Sequence, residues 1–431
     1  MCPAVAVKPV VSGTKTFDKA SAAGAKFGDV TPPNQPAAAD DRSAEPSKSS
    51  DPPATGFKRI VRIDAVDWLR GLAVVLMIET HLFGYWTSPA ARATTLFRET
   101  RWPSGLPFRM FLLLAGAAMA IKFEGQLARG VERRVMVRGA MRRGLEVLVL
   151  AYAFRLQEYV LSLFWDWHDL LRVDILNTIG ASMIIAAPIC APRRGRPQIA
   201  LTLALAAAII AIGPIIGPGD HLPTWLPRHL AAYIAGHDKM AAFPLIPPMA
   251  WTLVGIAIGH WLVRQSSDQR RLARAFVICG AVGLAMVGAV KLQRHIDPYL
   301  IRYTSDLAQQ MGPDTFIYRL GWIGVLALGA YVATRVWPPP RFSMMRVFGQ
   351  TSLLVYWVHV ELVYGLALKH FANRLSLVQA TVAFLLMTAA MLGLAVLRLK
   401  YWRGWRPALA AIGRAVGRGR LANLPSAPGP L

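Results

Sequence analysis

The chain has 431 residues, 54% of them hydrophobic, and a mean hydropathy of +0.38, which excludes an ordinary soluble domain. Its formal net charge of +24 would suit nucleic acid, but the basic residues stand between apolar runs, as the positive-inside rule places them in membrane loops. Cys2, Cys190 and Cys279 lack paired spacing, so neither a disulfide framework nor a zinc site is expected.

Residues 1–58 are rich in Ala, Pro, Ser, Lys and Asp without sustained periodicity, and are predicted to form a disordered cytoplasmic tail. The first long apolar run begins only after Val66, so no cleavable signal peptide is expected. From there, apolar segments of about 20 residues recur, the length a helix needs to cross the hydrocarbon core. Lys58, Arg59 and Arg62 hold the start of the first span inside, and the span ends near Tyr85-Trp86. The next spans are predicted at 106–121, 145–164, 173–190, 199–216 and 243–263, followed by 275–290, 316–336, 352–368 and 378–397. A stretch at 218–242 with Trp225, His229, Tyr233 and His237 lies outside, with room for an interfacial helix.

Basic clusters set the orientation. Arg129, Arg133, Arg134, Arg138, Arg142 and Arg143 form a predicted cytoplasmic loop. Arg193 to Arg196, Arg264 to Arg274, and Arg398 with Lys400, Arg403 and Arg406 repeat the pattern. The prediction is an all-α polytopic integral membrane protein of about ten transmembrane helices with both termini cytoplasmic. Its transmembrane domain covers 59–398, and a basic cytoplasmic tail covers 399–431.

Several spans carry groups a bilayer should exclude, and such residues usually face a protein interior or a wet cavity. In the first, Asp67 and Arg70 are three apart and share a helix face. His81 follows Arg70 after eleven residues, almost three turns, so it lies on roughly the same face about 16 Å further along. Glu79 accompanies it. Arg109 opens the second span, Arg155 and Glu158 sit in the third, Asp174 and Asn177 open the fourth, and His359 and Glu361 lie in the ninth.

These residues resemble a family. Asp67-Trp-Leu-Arg-Gly-Leu-Ala with His81 is similar to the opening of the transmembrane acyltransferases, which include heparan-alpha-glucosaminide N-acetyltransferase-like proteins and bacterial sugar O-acyltransferases. The spacing from Arg70 to His81, an Arg, ten residues and a His, resembles the bacterial branch. Pro107-Phe-Arg-Met-Phe-Leu-Leu-Leu-Ala-Gly116 is similar to the family's second span. Arg172-Val-Asp-Ile-Leu-Asn-Thr-Ile-Gly180, Phe243-Pro-Leu-Ile-Pro-Pro-Met-Ala-Trp251 and Gly349-Gln-Thr-Ser-Leu-Leu-Val-Tyr-Trp-Val-His359 resemble segments of the heparan branch. The resemblance runs from about Ile60 to Arg398.

It implies transfer of an acyl group, most simply acetyl, from cytoplasmic acyl-CoA to a sugar or glycan acceptor at the extracytoplasmic face. His81 suits a base or transient acyl carrier, since imidazole exchanges protons near neutral pH. Asp174 and Asn177 would support it, although capping of the fourth helix by Asp174 is an equal reading. Arg70 and Asp67 would hold the donor, Arg70 by guanidinium–phosphate geometry, or simply neutralise each other. Arg155 is a further donor contact or an ion-pair partner of Glu158 or Asp174. His359, Glu79 and Arg109 are candidate acceptor contacts, with a packed interfacial imidazole the alternative at His359. The Arg129–Arg143 cluster either attracts the donor's phosphates or only sets orientation. No metal is expected, because His221, His229 and His237 do not recur on one helix face. Expected partners are the bilayer, acyl-CoA and the glycan acceptor, with homodimerisation open and nucleic acid excluded; the expected site is a bacterial cytoplasmic (inner) membrane. A transporter of a small polar envelope metabolite is the alternative from another class, but its spans would be broken at mid-membrane, whereas Pro here gathers near span ends.

Overall fold

A computed structural model describes residues 63–161, 167–192, 198–216, 222, 225–236, 241–297, 312–338 and 341–422, with Asp169 and everything after Tyr401 given by backbone alone. The predicted tail at 1–58, the basic turn at 193–196, and Cys2, His221 and His237 lie outside the described residues. The described residues fall within one unit, Gly56–Leu431.

The helices are α1 (Asp64–Trp86), α2 (Pro89–Arg92), α3 (Thr95–Thr100), α4 (Pro107–Leu127), α5 (Arg133–Leu161), α6 (Ile175–Cys190), α7 (Ile199–Ile216), α8 (Arg228–Ala235), α9 (Met249–Gln265), α10 (Gln269–Ile296), α11 (Pro313–Val336), α12 (Met344–Tyr364) and α13 (Leu377–Ala422). No strand forms among the described residues, in line with the all-α expectation. Local chemistry marks the starts: Pro107 and Pro313 open α4 and α11, where a missing N–H costs nothing, and the Ser343 side chain caps α12. Gly236, with φ 82°, closes α8 in the left-handed conformation.

Among the described residues, five helical stretches are long and apolar enough to cross a membrane: Thr95–Leu127, Ile199–Ile216, Gln269–Ile296, Pro313–Val336 and Leu377–Tyr401. Large apolar side chains also point outwards, among them Leu145, Val149 and Leu156 on α5 and Leu385 and Leu386 on α13. Such a surface is stable only against lipid or another protein.

Helix ends depart from the hydropathy boundaries in informative ways. Arg133, Arg134, Arg138, Arg142 and Arg143 are not loop residues but the first turns of α5. Arg is a good helix former, so the helix continues past the apolar stretch that hydropathy detects. The same holds for α13, which runs through the predicted domain boundary at 398 to Ala422. Conversely, residues 243–248, expected within the sixth span, precede α9, which starts only after Pro247-Pro248.

The pairing that positions the site is between α1 and α12, far apart in sequence. A Cβ on Gly71 would overlap the Met345 main chain, and one on Gly349 would overlap the Asp67 carbonyl. The two backbones therefore touch there, as small residues permit between membrane helices. Further along, His81 meets His359, and the Trp86 indole N–H donates to the Val363 carbonyl at 3.0 Å. Contacts that advance together along both helices make the pair parallel. A second parallel pair, α4 with α9, uses Gly116, Gly255 and Gly259 in the same way, whereas α5 and α6 meet antiparallel at Gly144 and Gly180.

Candidate functional site

One cavity of about 340 Å³ opens at the His81 end of α1. α1 supplies Met77, Thr80 and His81, α4 supplies Phe108 and Phe111, and α5 supplies Phe154, Arg155 and Glu158. The segment entering α6 supplies Arg172, Asp174 and Ile175, and α12 supplies Tyr356, Val360 and Tyr364.

His81 Nδ1 lies 3.0 Å from His359 Nε2. The rings are 5.2 Å apart between centres and only 9° from parallel. That separation is what an in-line hydrogen bond gives once both ring radii are added, so the rings are edge to edge rather than face to face. His359 is fully buried, and its Nδ1 donates to the Val355 carbonyl at 2.7 Å. A carbonyl only accepts, which assigns the His359 proton to Nδ1 and leaves Nε2 as an acceptor. His81 must then donate from Nδ1, and its Nε2 keeps a lone pair. The result is a carbonyl–imidazole–imidazole chain whose last nitrogen is a proton acceptor on a cavity-lining residue.

The other predicted residues separate into those that share this cavity and those that do not. Arg155 forms ion pairs with both Glu158 and Asp174, so the expected charge compensation is present at the chamber wall. Asp174 is therefore turned to Arg155, while the neighbour of His81 is His359. Asn177 is fully buried off the cavity, where its Oδ1 accepts from the Asp174 backbone N–H at 3.0 Å as part of the α6 cap. Its carbonyl takes the Tyr233 hydroxyl at 3.0 Å. Glu79 pairs with Arg101 at 2.8 Å. Arg109 is buried, bonds the Gly105 carbonyl and stands 4.2 Å from the Phe108 ring centre, facing a separate cavity of about 90 Å³.

Arg70 lies at the other end. It pairs with Asp67 at 3.0 Å and faces a cavity of about 520 Å³, joined there by Lys122, Arg143 and Arg398. No carboxylate is among the described residues lining that space. Four cations around an acid-free wall suit a polyanionic ligand. Lys122 and Arg398 were not singled out as ligands from sequence; the last turns of α4 and the middle of α13 bring them beside Arg70. The two cavities share three wall residues, Phe111, Ile175 and Tyr356, so they adjoin across these side chains.

The sequence profile described as heparan-alpha-glucosaminide N-acetyltransferase, catalytic, matches residues 62–294, more than half of the chain. The chain belongs to that family. The matched stretch carries Arg70, His81, Arg143, Arg155 and Asp174, while His359, Tyr356 and Arg398 lie beyond it on α12 and α13. Acetyl transfer in a membrane setting is the activity this membership assigns. Among curated proteins, a direct sequence comparison gives no match.

Proposed function

We propose that the protein carries an acetyl group from cytoplasmic acetyl-CoA to a hydroxyl or amine of a sugar or glycan at the extracytoplasmic face. One observation carries this reading: a cation-lined cavity and a histidine-bearing cavity adjoin, with Phe111, Ile175 and Tyr356 in the walls of both. In this reading Arg70, Lys122, Arg143 and Arg398 hold the donor's phosphates, with Asp67 orienting Arg70. The pantetheine arm threads towards the His81 chamber. The His81 Nε2 lone pair takes the proton of the acceptor as it attacks the thioester carbon, and returns it to the leaving thiolate. His359 holds His81 in the competent tautomer and takes up charge as the proton arrives. Arg172, exposed at the chamber, meets the acceptor.

The ten long helices are proposed as ten alternating spans, with both termini inside a bacterial cytoplasmic membrane. Parallel α1–α12 and α4–α9 and antiparallel α5–α6 agree with that alternation, and the Arg clusters orient it. The spacing of Arg70 and His81 supports the likeness to the bacterial sugar O-acyltransferases.

The test is purified protein in proteoliposomes given radiolabelled acetyl-CoA on one side and glucosaminide acceptors on the other. Labelled acceptor is expected, and His81→Ala should lower turnover by about 10²–10⁴-fold while the protein still inserts and binds CoA. Undiminished turnover by His81→Ala would remove the mechanism, and inert wild-type protein would remove the activity.

A further inference from the structure

The three residues common to both cavities include one polar group: Phe111 and Ile175 are hydrocarbon, whereas Tyr356 carries a hydroxyl. Tyr356 is only 9% exposed, and no hydrogen bond to its hydroxyl forms among the described residues. A phenol that lines cavity space and has no protein partner is open to a hydrogen bond with whatever occupies that space. Neither ring beside it offers a partner: the Phe154 ring lies 6.0 Å away between centres, and the His359 ring lies 6.0 Å away at 72°, while Arg155 and Glu158 on the same chamber wall are paired with each other. The nitrogen of His359 nearest the reaction is already engaged with His81, and the other with Val355.

Its position is specific. Tyr356 stands one turn before His359 on α12, between the cationic cavity and the proton-accepting imidazole. A thioester whose phosphates rest near Arg70 must pass this residue to reach His81. We propose that the Tyr356 hydroxyl donates a hydrogen bond to the thioester carbonyl oxygen and holds the negative charge that builds there in the transition state. This inference rests on the acetyl-CoA reading above.

The step balances. The acceptor's oxygen or nitrogen forms a bond to the thioester carbon as its proton passes to His81 Nε2. The carbonyl π electrons move onto oxygen, where the Tyr356 O–H meets them. The C–S bond then breaks as the carbonyl re-forms, and the CoA sulfur recovers the proton from His81. Tyr356 gives up no proton over the cycle. Its contribution is a dipole fixed in a water-poor throat, the setting in which such donors are most effective.

The test is Tyr356→Phe, which keeps the ring and deletes the oxygen, with Tyr331→Phe on α11, a tyrosine that lines neither cavity, as the comparison. Loss of one oxyanion donor should lower kcat by about 10²–10³-fold, with CoA affinity and the KM for acetyl-CoA changed less than about threefold. Tyr331→Phe should retain most activity. A merely structural Tyr356 would leave kcat within about threefold in Tyr356→Phe, or shift CoA affinity and kcat together; either result overturns the assignment. Wild-type protein without acetyl transfer would instead sink the underlying reading, so the two failures are distinct.

Discussion

The two ends of α1 are built on opposite principles. At the His81 end, charges and donors are spent on one another: Arg155 on Glu158 and Asp174, Glu79 on Arg101, and His359 on Val355 and His81. At the Arg70 end, four cationic side chains surround a space with no acid on its described wall, and among the described residues only Arg70 and Arg143 have carboxylate partners, Asp67 and Glu146, behind it. An internally satisfied region keeps its geometry without a ligand, and the few groups left open there are the ones that react. A region with surplus charge is completed by what binds. The contrast teaches that placement and chemistry are divided along one helix, and that variants at the two ends should separate in kinetics.

The largest effect in the His81 region after the base itself is expected at His359. His359→Leu removes the acceptor that holds the His81 proton on Nδ1, and kcat should fall by roughly 10- to 100-fold with donor affinity unchanged. Pre-steady-state acetyl transfer at saturating acetyl-CoA checks this; a matching loss of CoA affinity would blur the division. At the other end, Lys122→Gln or Arg398→Gln alone should raise the KM for acetyl-CoA by about tenfold or more and leave kcat nearly intact, since each charge-assisted contact is worth about 1.5–3 kcal/mol. Affinity for CoA should also weaken with added salt, read by calorimetry across ionic strengths. The smallest change is expected from Glu79→Gln, which loosens the clamp from Arg101 onto the end of α1 without touching either cavity. Turnover should stay within a few-fold of wild type, with a modest drop in melting temperature in detergent.

Much of the architecture was legible because hydropathy, basic clusters and capping all read locally. The helix boundaries were less so: a hydropathy run measures bilayer thickness, whereas the helix of α5 begins at Arg133 because Arg itself favours helix. In the site, the polar stripe of α1 and the Arg155 ion pair could be read from spacing and from the cost of an isolated charge. The His81–His359 bond could not, since 278 residues separate the partners. Tyr356 was hidden for a different reason. A single phenol in an apolar run looks like packing until the space on either side of it is seen. Asn177 shows the reverse case, a side chain with chemical capacity that the fold commits to a helix cap.

The glycine contact between α1 and α12 has a kinetic meaning. Main chain resting on main chain at Gly71 and Gly349 leaves no side-chain layer that could shear, so the interval between anchor and reaction point acts as a fixed gauge. Movement then belongs to the cargo, whose flexible tether must match that interval. A shortened thioester lacking the nucleotide could occupy the chamber or the basic vestibule but never be held by both, and would turn over without the benefit of its own binding energy.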